Sequence, residues 1–203
     1  FCAHNTVSSR RLSQKTIECL RSWRPSSDSP SRKRKTPLHD AVHRGQVSRV
    51  SWLLAQGATP EATTTDGMTP LFYAVSDQHY AAAEQLLRHG AKTDVLSDRG
   101  DSPLFLAAYN GCHRLVILLI KYHADVDIVH KPTGYTPLHA AAIKNHVRIV
   151  QTLLDCGANP NVISNDGETA LDVAKRYGAT EVTKLLETAL ISELESPPTP
   201  DIL

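Results

Sequence analysis

The segment Thr136-Pro137-Leu138-His139-Ala140-Ala141-Ala142 is the clearest copy of a pattern that recurs through the chain. Related tetrapeptides occur four more times, as Thr36-Pro37-Leu38-His39, Thr69-Pro70-Leu71-Phe72, Ser102-Pro103-Leu104-Phe105 and Thr169-Ala170-Leu171-Asp172. Their first residues are 33, 33, 34 and 33 positions apart. A fixed period near 33 residues indicates a repeat architecture of stacked units.

Each unit has the signals of two helices followed by a turn. Thr or Ser at the first position is a preferred N-cap, and Pro at the next suits the first helical residue, which needs no N–H donor. A short apolar helix follows, and a second helix ends in paired leucines such as Leu153-Leu154. Gly57, Gly90 and Gly157 stand where a left-handed C-cap residue is needed. Turn residues such as Asp166-Gly167 precede the next cap.

Taken together, these motifs resemble a known family. The Thr-Pro-Leu-His tetrapeptide, the alanine run, the paired leucines, Gly157-Ala158-Asn159-Pro160-Asn161 and Asn165-Asp166-Gly167 resemble the ankyrin repeat, over residues 36–191. The resemblance implies an all-α repeat fold, an ankyrin α-solenoid of helix-turn-helix units joined by β-hairpin-like loops. One unit cannot bury its own apolar face, so the units must stack on one another.

The tetrapeptides divide the chain into units. The last unit is expected to be a degenerate C-terminal cap, because Ala170, Asp172 and Lys175 replace the family's Pro, His and Ala, and polar Thr183 and Glu187 replace apolar residues. The predicted divisions are a basic N-terminal arm over 1–35, partly disordered with a short helix, repeats over 36–68, 69–101, 102–135 and 136–168, the capping repeat over 169–191, and a disordered tail over 192–203.

Repeat 3 departs most from the pattern. His123 stands where other units have the C-cap glycine, so it must accept a positive φ or abandon the motif. Gln78, in repeat 2, similarly replaces the glycine that the family prefers between helices. The segment His130-Lys131-Pro132-Thr133-Gly134 contains the extra residue of the 34-residue spacing. We therefore expect the third hairpin to be longer than the others and displaced.

Charge is distributed unevenly along the chain. The net charge is +1, but residues 1–35 carry nine Lys or Arg against two acidic residues, so the arm is at +7 and the remainder at −6. The run Arg32-Lys33-Arg34-Lys35 is typical of a nuclear-localisation or polyanion-binding cluster, and also of a solvated basic junction. Since no aromatic residues are interleaved with it, we expect no nucleic-acid partner.

Other signals concern the cellular setting and modification. No apolar run is long enough for a membrane span, and the four cysteines show no Cys-x-x-Cys spacing. Reduced thiols in a cytoplasmic protein, or alternatively a nuclear one, are predicted. Because the chain starts at Phe1, we expect a fragment of a longer sequence. Arg10-Arg11-Leu12-Ser13 and Thr199-Pro200 resemble kinase substrate sites, with Ser13 and Thr199 as the acceptors.

The ten histidines do not form a catalytic pattern. The resemblance implies that His39 and His139 bond back to the capping Thr and the neighbouring turn, and that His79 and His146 are structural. Neither a Gly-rich phosphate loop nor a nucleophile elbow occurs. We therefore expect no enzymatic activity, no cofactor, no metal site and no small-molecule substrate.

In the ankyrin family the partner lies along the concave face, formed by hairpin tips and exposed positions of each first helix. Carried onto this sequence, the resemblance implies this partner-binding set: Asp66, Met68, Ser76, Asp77, Arg99, Asp101, Tyr109, Asn110, Tyr135, Ile143, Lys144, Glu168, Arg176 and Tyr177. Five members are aromatic or large apolar residues at positions where solvent exposure is expected, as is typical of interface anchors. With the nearby Lys and Arg, they predict a groove for an extended or helical peptide with an apolar anchor and acidic character. Isolated surface residues are the alternative.

Two further consequences of the resemblance stay open at this point. Asn161 occupies a hairpin position that asparaginyl hydroxylases modify in ankyrin repeats; alternatively, it is a turn asparagine that bonds its own backbone. The predicted function is a non-catalytic scaffold or adaptor that binds a protein partner. The alternatives are a targeting or regulatory segment of a larger enzyme, channel or ubiquitin-ligase substrate receptor, and a nuclear regulator carrying a basic localisation signal.

Overall fold

A computed structural model describes residues 35–195, with side chains through Ile191, and shows ten α-helices in that range. Each repeat supplies a seven-residue inner helix and an outer helix. The inner helices are α1 Pro37–His43, α3 Pro70–Ser76, α5 Pro103–Tyr109, α7 Pro137–Ile143 and α9 Ala170–Arg176. The outer helices are α2 Val47–Ala55, α4 Tyr80–Arg88, α6 His113–Lys121, α8 Val147–Asp155 and α10 Thr180–Glu195. The all-α repeat fold is therefore confirmed.

The inner helices begin as the tetrapeptides predict. In repeat 1 the backbone N–H of Thr36 donates to Nδ1 of His39 (3.2 Å), and Nε2 of His39 lies 3.2 Å from the carbonyl oxygen of Met68. In repeat 4 His139 makes the same pair of contacts, with Thr136 N (3.2 Å) and the Glu168 carbonyl (3.1 Å). Since Nδ1 accepts, the proton sits on Nε2, and each neutral imidazole joins a helix start to the next hairpin.

The core runs continuously through the stack of helices. Ala140, Ala141 and Ala142 of α7 are fully buried, because small side chains let adjacent inner helices approach closely. Outer-helix residues such as Val116 and Leu153 are also fully buried against their own inner helices and their neighbours. Each inner helix packs on the inner helices before and after it, so the units stabilise one another.

The turns within and between repeats need residues with positive φ. Gly57, Gly90 and Gly157 have φ between 84° and 86° after their outer helices, and His123 takes φ 64° at the same place in repeat 3. Gln78 has φ 58° between α3 and α4. Both non-glycine positions thus keep the motif and accept the left-handed conformation.

The third hairpin is longer than the others, as predicted. The backbone N–H of His130 donates to the carbonyl of Tyr135, five residues later. In the other hairpins the backbone N–H of Thr64, Ser97 or Ser164 donates to a carbonyl only four residues later. It nevertheless stays stacked between its neighbours. The N–H of Asn165 donates to the Thr133 carbonyl (2.9 Å) on one side, and His130 contacts Asp101 on the other.

The last outer helix is longer than the sequence analysis predicted. α10 continues through Glu195, so placing the start of a disordered tail at residue 192 was wrong. The repeat register explains why this helix is longer. Leu190 stands 33 residues after Gly157, and at this position the earlier outer helices are followed by a C-cap glycine or by His123. Glu187 faces outward and pairs with Lys175 of α9 at 2.9 Å.

Some predictions fall outside residues 35–195. They concern the short helix of the arm, the basic run except Lys35, the acceptors Ser13 and Thr199, and Cys2 and Cys19. Cys112 and Cys156 are described and are free thiols. No helix among the described residues combines the length and the apolar character needed to cross a membrane.

Candidate partner-binding surface

The ends of the last three inner helices bring together four predicted residues, Tyr109, Lys144, Arg176 and Tyr177, which we call the tyrosine patch. Tyr109 ends α5, Lys144 follows α7, Arg176 ends α9 and Tyr177 follows it. Because inner helices of successive repeats pack side by side, residues at the same helical position become neighbours across repeats. The repeat period therefore builds this patch.

Tyr109 and Lys144 form a cation–π pair. The Lys144 Nζ lies 4.6 Å from the centroid of the half-buried Tyr109 ring, which also stacks on Phe105 at 6.5 Å. An ammonium group over an aromatic face is stabilised by about 0.5–1 kcal/mol at an exposed site. The pair holds the lysine charge close to an apolar surface.

Tyr177 is the exposed aromatic residue of the patch. Its side chain is 42% exposed, and partial burial raises the pKa of its hydroxyl. The preceding residue, Arg176, forms an ion pair with Glu168 at the end of the fourth hairpin. The second carboxylate oxygen of Glu168, Oε2, is buried without a hydrogen-bond partner among the described residues.

Tyr135 is not an exposed anchor, and that prediction was wrong. Its side chain is fully buried and stacks on the His139 ring at 5.2 Å with an interplanar angle of 7°. Burial raises its pKa to about 12, and its hydroxyl has no hydrogen-bond partner within the described chain. The residue before the cap lies over the capping histidine of its own repeat, so a large ring there becomes part of the core.

Asp101 was likewise predicted to face a partner but is buried. Its carboxylate Oδ1 lies 3.2 Å from Nε2 of His130, and its Oδ2 accepts from the Ser97 hydroxyl at 3.4 Å. The His130 ring stacks on Phe105 at 4.8 Å, and its Nδ1 lies 2.7 Å from Thr133 Oγ1. This buried network holds the second hairpin against the third.

Repeats 1 and 2 contain a second aromatic cluster that the sequence analysis missed. Tyr73 is covered by the Lys35 ammonium at 4.7 Å, and His39 and His43 make edge contacts with its ring. Of the predicted residues nearby, Asp77 contacts Nδ1 of His43 at 2.7 Å. The sequence did contain a sign of this cluster, because Tyr73 occupies a helix position at which the other repeats have aliphatic residues or Asp.

The remaining predicted residues are dispersed. Met68 and Ile143 are half-buried and pack against the core, while Ser76 and Asn110 are half-buried and Arg99 is exposed. Asp66 accepts the N–H of Asp98 through its carbonyl. Asn161 is exposed and its N–H donates to Asn159 Oδ1, and its modification stays a prediction.

Among residues 35–191, no group of three or more His, Cys, Asp and Glu side chains could hold a metal ion. Burial lowers the pKa of His139 to about 4, and it also lowers the pKa of His39. These imidazoles are neutral at pH 7 and engaged in helix capping.

Comparison with known proteins identifies repeats over most of the chain. A family model described as ankyrin repeats (3 copies) matches residues 9–97, 82–163 and 104–192, and so reaches into the segment predicted to be an arm. The chain is 39% identical over 75 residues to the ankyrin repeat protein nuc-2 of Neurospora crassa, covering 37% of this chain and 7% of that protein. It is 37% identical over 76 residues to the B-cell lymphoma 3 protein homolog of Mus musculus, covering 37% of this chain and 17% of that protein. The shared segments are thus a small part of these relatives.

Proposed function

Because the chain belongs to the ankyrin repeat family, whose repeats mediate protein–protein interaction without catalysis, we propose that it is a scaffold or adaptor that binds a protein partner through the concave face. The proposed contact surface is the tyrosine patch of repeats 3 to 5. The single observation that carries this assignment is the exposure of Tyr177 beside the Tyr109–Lys144 pair.

The aromatic side chains of the patch are suited to anchor a partner. Tyrosine buries a large, rigid surface with few rotatable bonds and is enriched among residues that dominate interface energies. Tyr109 is held by Phe105 and Lys144, so little of its conformational freedom is left to lose on binding. Tyr177 offers the exposed apolar surface for a matching side chain.

The charges of the patch favour an acidic partner. Lys144 is exposed, and its contact with Tyr109 leaves N–H donors of the ammonium available. Arg176 already shares its charge with Glu168 and so contributes less. The proposed ligand is an extended or helical peptide with an apolar side chain for Tyr177 and a carboxylate for Lys144.

A quantitative affinity purification with the full chain tests this proposal. The double variant Tyr109→Ala and Tyr177→Ala should lose its co-purifying partners by about tenfold or more, since each truncated anchor costs about 1–2 kcal/mol. The matched control is Tyr80→Ala and Tyr122→Ala. Tyr80 begins α4 and contacts Arg114, and Tyr122 directly follows α6 and contacts Arg88. Equal partner recovery with the patch variant and the wild type would reject the tyrosine patch.

The length of the relatives supports a second candidate function, that of a segment in a larger protein. Their shared segments cover less than a fifth of each relative, as expected if such repeats serve as a targeting or regulatory segment of a larger protein. Transcript sequence upstream of Phe1 would decide between this role and that of a small adaptor.

A further inference from the structure

A second candidate surface lies on the extended segments that lead into the hairpins, and it contains none of the tyrosine patch residues. Val129 is 44% exposed and Ile163 is 65% exposed, although both are aliphatic. Leu96 is half-buried at the matching position of repeat 2, and repeat 1 has the polar Thr63 there. We call Leu96, Val129 and Ile163 the aliphatic row.

The repeat register makes these three residues neighbours. They stand 33 and 34 positions apart, and the flanking Ser97, His130 and Ser164 are all buried, so the three side chains point to the same side. Packed helices are spaced by about 8–10 Å, so successive members of the row lie about 10 Å apart. The row spans about 20 Å across three repeats.

A line of carboxylates runs beside the aliphatic row. Glu61, Asp94 and Asp127 each accept a backbone N–H from the next repeat, from Lys92 at 2.8 Å, Asp125 at 3.2 Å and Asn159 at 3.0 Å. Residues two positions apart in an extended segment share a face, so Asp94 lies beside Leu96. Asp127 ends a turn two residues before Val129, at the matching position of repeat 3. Within residues 35–191, none of the three carboxylates is paired with Lys or Arg.

We propose that this surface binds a basic amphipathic helix of a partner protein, with apolar side chains on the aliphatic row and Lys or Arg on the carboxylates. The spacing favours a helix, because residues seven apart on one helical face are about 10.5 Å apart, whereas an extended strand alternates faces at about 3.3 Å per residue. The three carboxylates have no Lys or Arg partner among the described residues, so they favour a positively charged ligand. About 15 helical residues match the length of the row.

A designed probe tests the proposal with the full chain. The probe is a fluorescein-labelled 15-residue peptide with leucine at positions 1, 4, 8, 11 and 15, lysine along one flank, and alanine and glutamine elsewhere. Binding is measured by fluorescence anisotropy. The triple variant Leu96→Thr, Val129→Thr and Ile163→Thr should bind at least about tenfold more weakly. Threonine is the residue of repeat 1 at this position, and a thermal melt checks that the variant is folded.

Further experiments distinguish binding at the aliphatic row from binding at the tyrosine patch and from unfolding of the variant. Replacing the peptide's lysines by glutamates should weaken binding at least about tenfold. The double variant Tyr109→Ala and Tyr177→Ala should bind the lysine peptide normally, even if it loses its other partners. Conversely, Thr63→Ile should strengthen binding of a 22-residue version, because it extends the row into repeat 1. If the triple variant binds within twofold of the wild type, or the glutamate peptide binds equally well, the proposal is overturned.

Discussion

At the scale of single residues, each capping histidine accepts one hydrogen bond and donates another. Nδ1 of His139 satisfies the N–H of Thr136, while Nε2–H donates to the Glu168 carbonyl of the next hairpin. In repeat 5 Asp172 reproduces only the first bond, at 3.0 Å from Thr169 N. A histidine here therefore ties the start of the inner helix to the hairpin that closes its own repeat, whereas Asp172 caps the helix alone.

The buried His139 makes stability depend on pH. Its pKa of about 4 lies below the unfolded value of 6.5, so below pH 6.5 the unfolded chain binds a proton that the folded chain refuses. Its contribution is complete above pH 6.5 and is lost as pH falls toward 4, by about 3 kcal/mol in total. Urea unfolding at pH 7 and pH 4 should show a smaller loss for His139→Gln than for the wild type. If His139→Gln loses as much stability as the wild type between pH 7 and pH 4, the assignment is contradicted.

His123 supplies a second residue-level prediction. A non-glycine residue at φ 64° is strained, and the His123 side chain is exposed, so His123→Gly should stabilise the fold by about 0.5–1 kcal/mol. The matched control is Gly157→Ala at φ 86°, where an added Cβ meets no atom within 4 Å. Gly157→Ala should cost about 1 kcal/mol, because alanine is strained at this positive φ even though its Cβ meets no other atom. Thermal melts compare the two, and destabilisation by His123→Gly would refute the strain argument.

At the scale of elements, the third hairpin shows how one extra residue is accommodated. Elsewhere a Thr or Ser hydroxyl accepts an N–H inside the hairpin, as Ser164 Oγ does from Glu168 N at 3.2 Å. In the third hairpin His130 occupies that position, and Thr133 Oγ1 accepts the N–H of Tyr135 instead, at 3.2 Å. His130 is thereby free to reach back to Asp101 of the preceding repeat.

Removing the Asp101 carboxylate should disrupt this element. Asp101→Ala removes the carboxylate that contacts Nε2 of the buried His130 and accepts from Ser97, and disrupting a buried hydrogen-bond network costs about 1–3 kcal/mol or more. We therefore expect a loss of about 2–3 kcal/mol in urea unfolding. Asp98→Ala is the control, because Asp98 is exposed in the same hairpin and should change stability by less than about 0.5 kcal/mol. Equal effects of the two substitutions would show that the network is not stabilising.

At the scale of the whole molecule, each repeat is completed by the next. The outer helices illustrate this, since Tyr80 of α4 covers Arg114 of α6 at 4.6 Å, and His113 of α6 contacts Thr152 of α8 at 2.9 Å. The carboxylates beside the aliphatic row extend the same ordering into the loops. One period thus produces both proposed surfaces, the tyrosine patch and the aliphatic row, from different positions of the unit.

Local chemistry within one repeat is enough to predict several of the elements. Helix starts and the longer third hairpin follow from residues within one unit, and the resemblance to the ankyrin repeat implied the bonds of His39 and His139. The positive φ of His123 was one of two alternatives that the sequence left open. The missed end of α10 was also readable, because Leu190 replaces the stop glycine.

Which side chains reach solvent depends on contacts that form when the repeats pack together. The period places Tyr135 and Asp101 at the hairpin, but Tyr135 packs on His139 and Asp101 pairs with His130. The packing of the repeats also leaves Ile163 exposed and brings the Lys35 ammonium over the Tyr73 ring. Burial depends on the identity and length of side chains in the adjoining repeat, and a repeat pattern specifies only the position within its own unit.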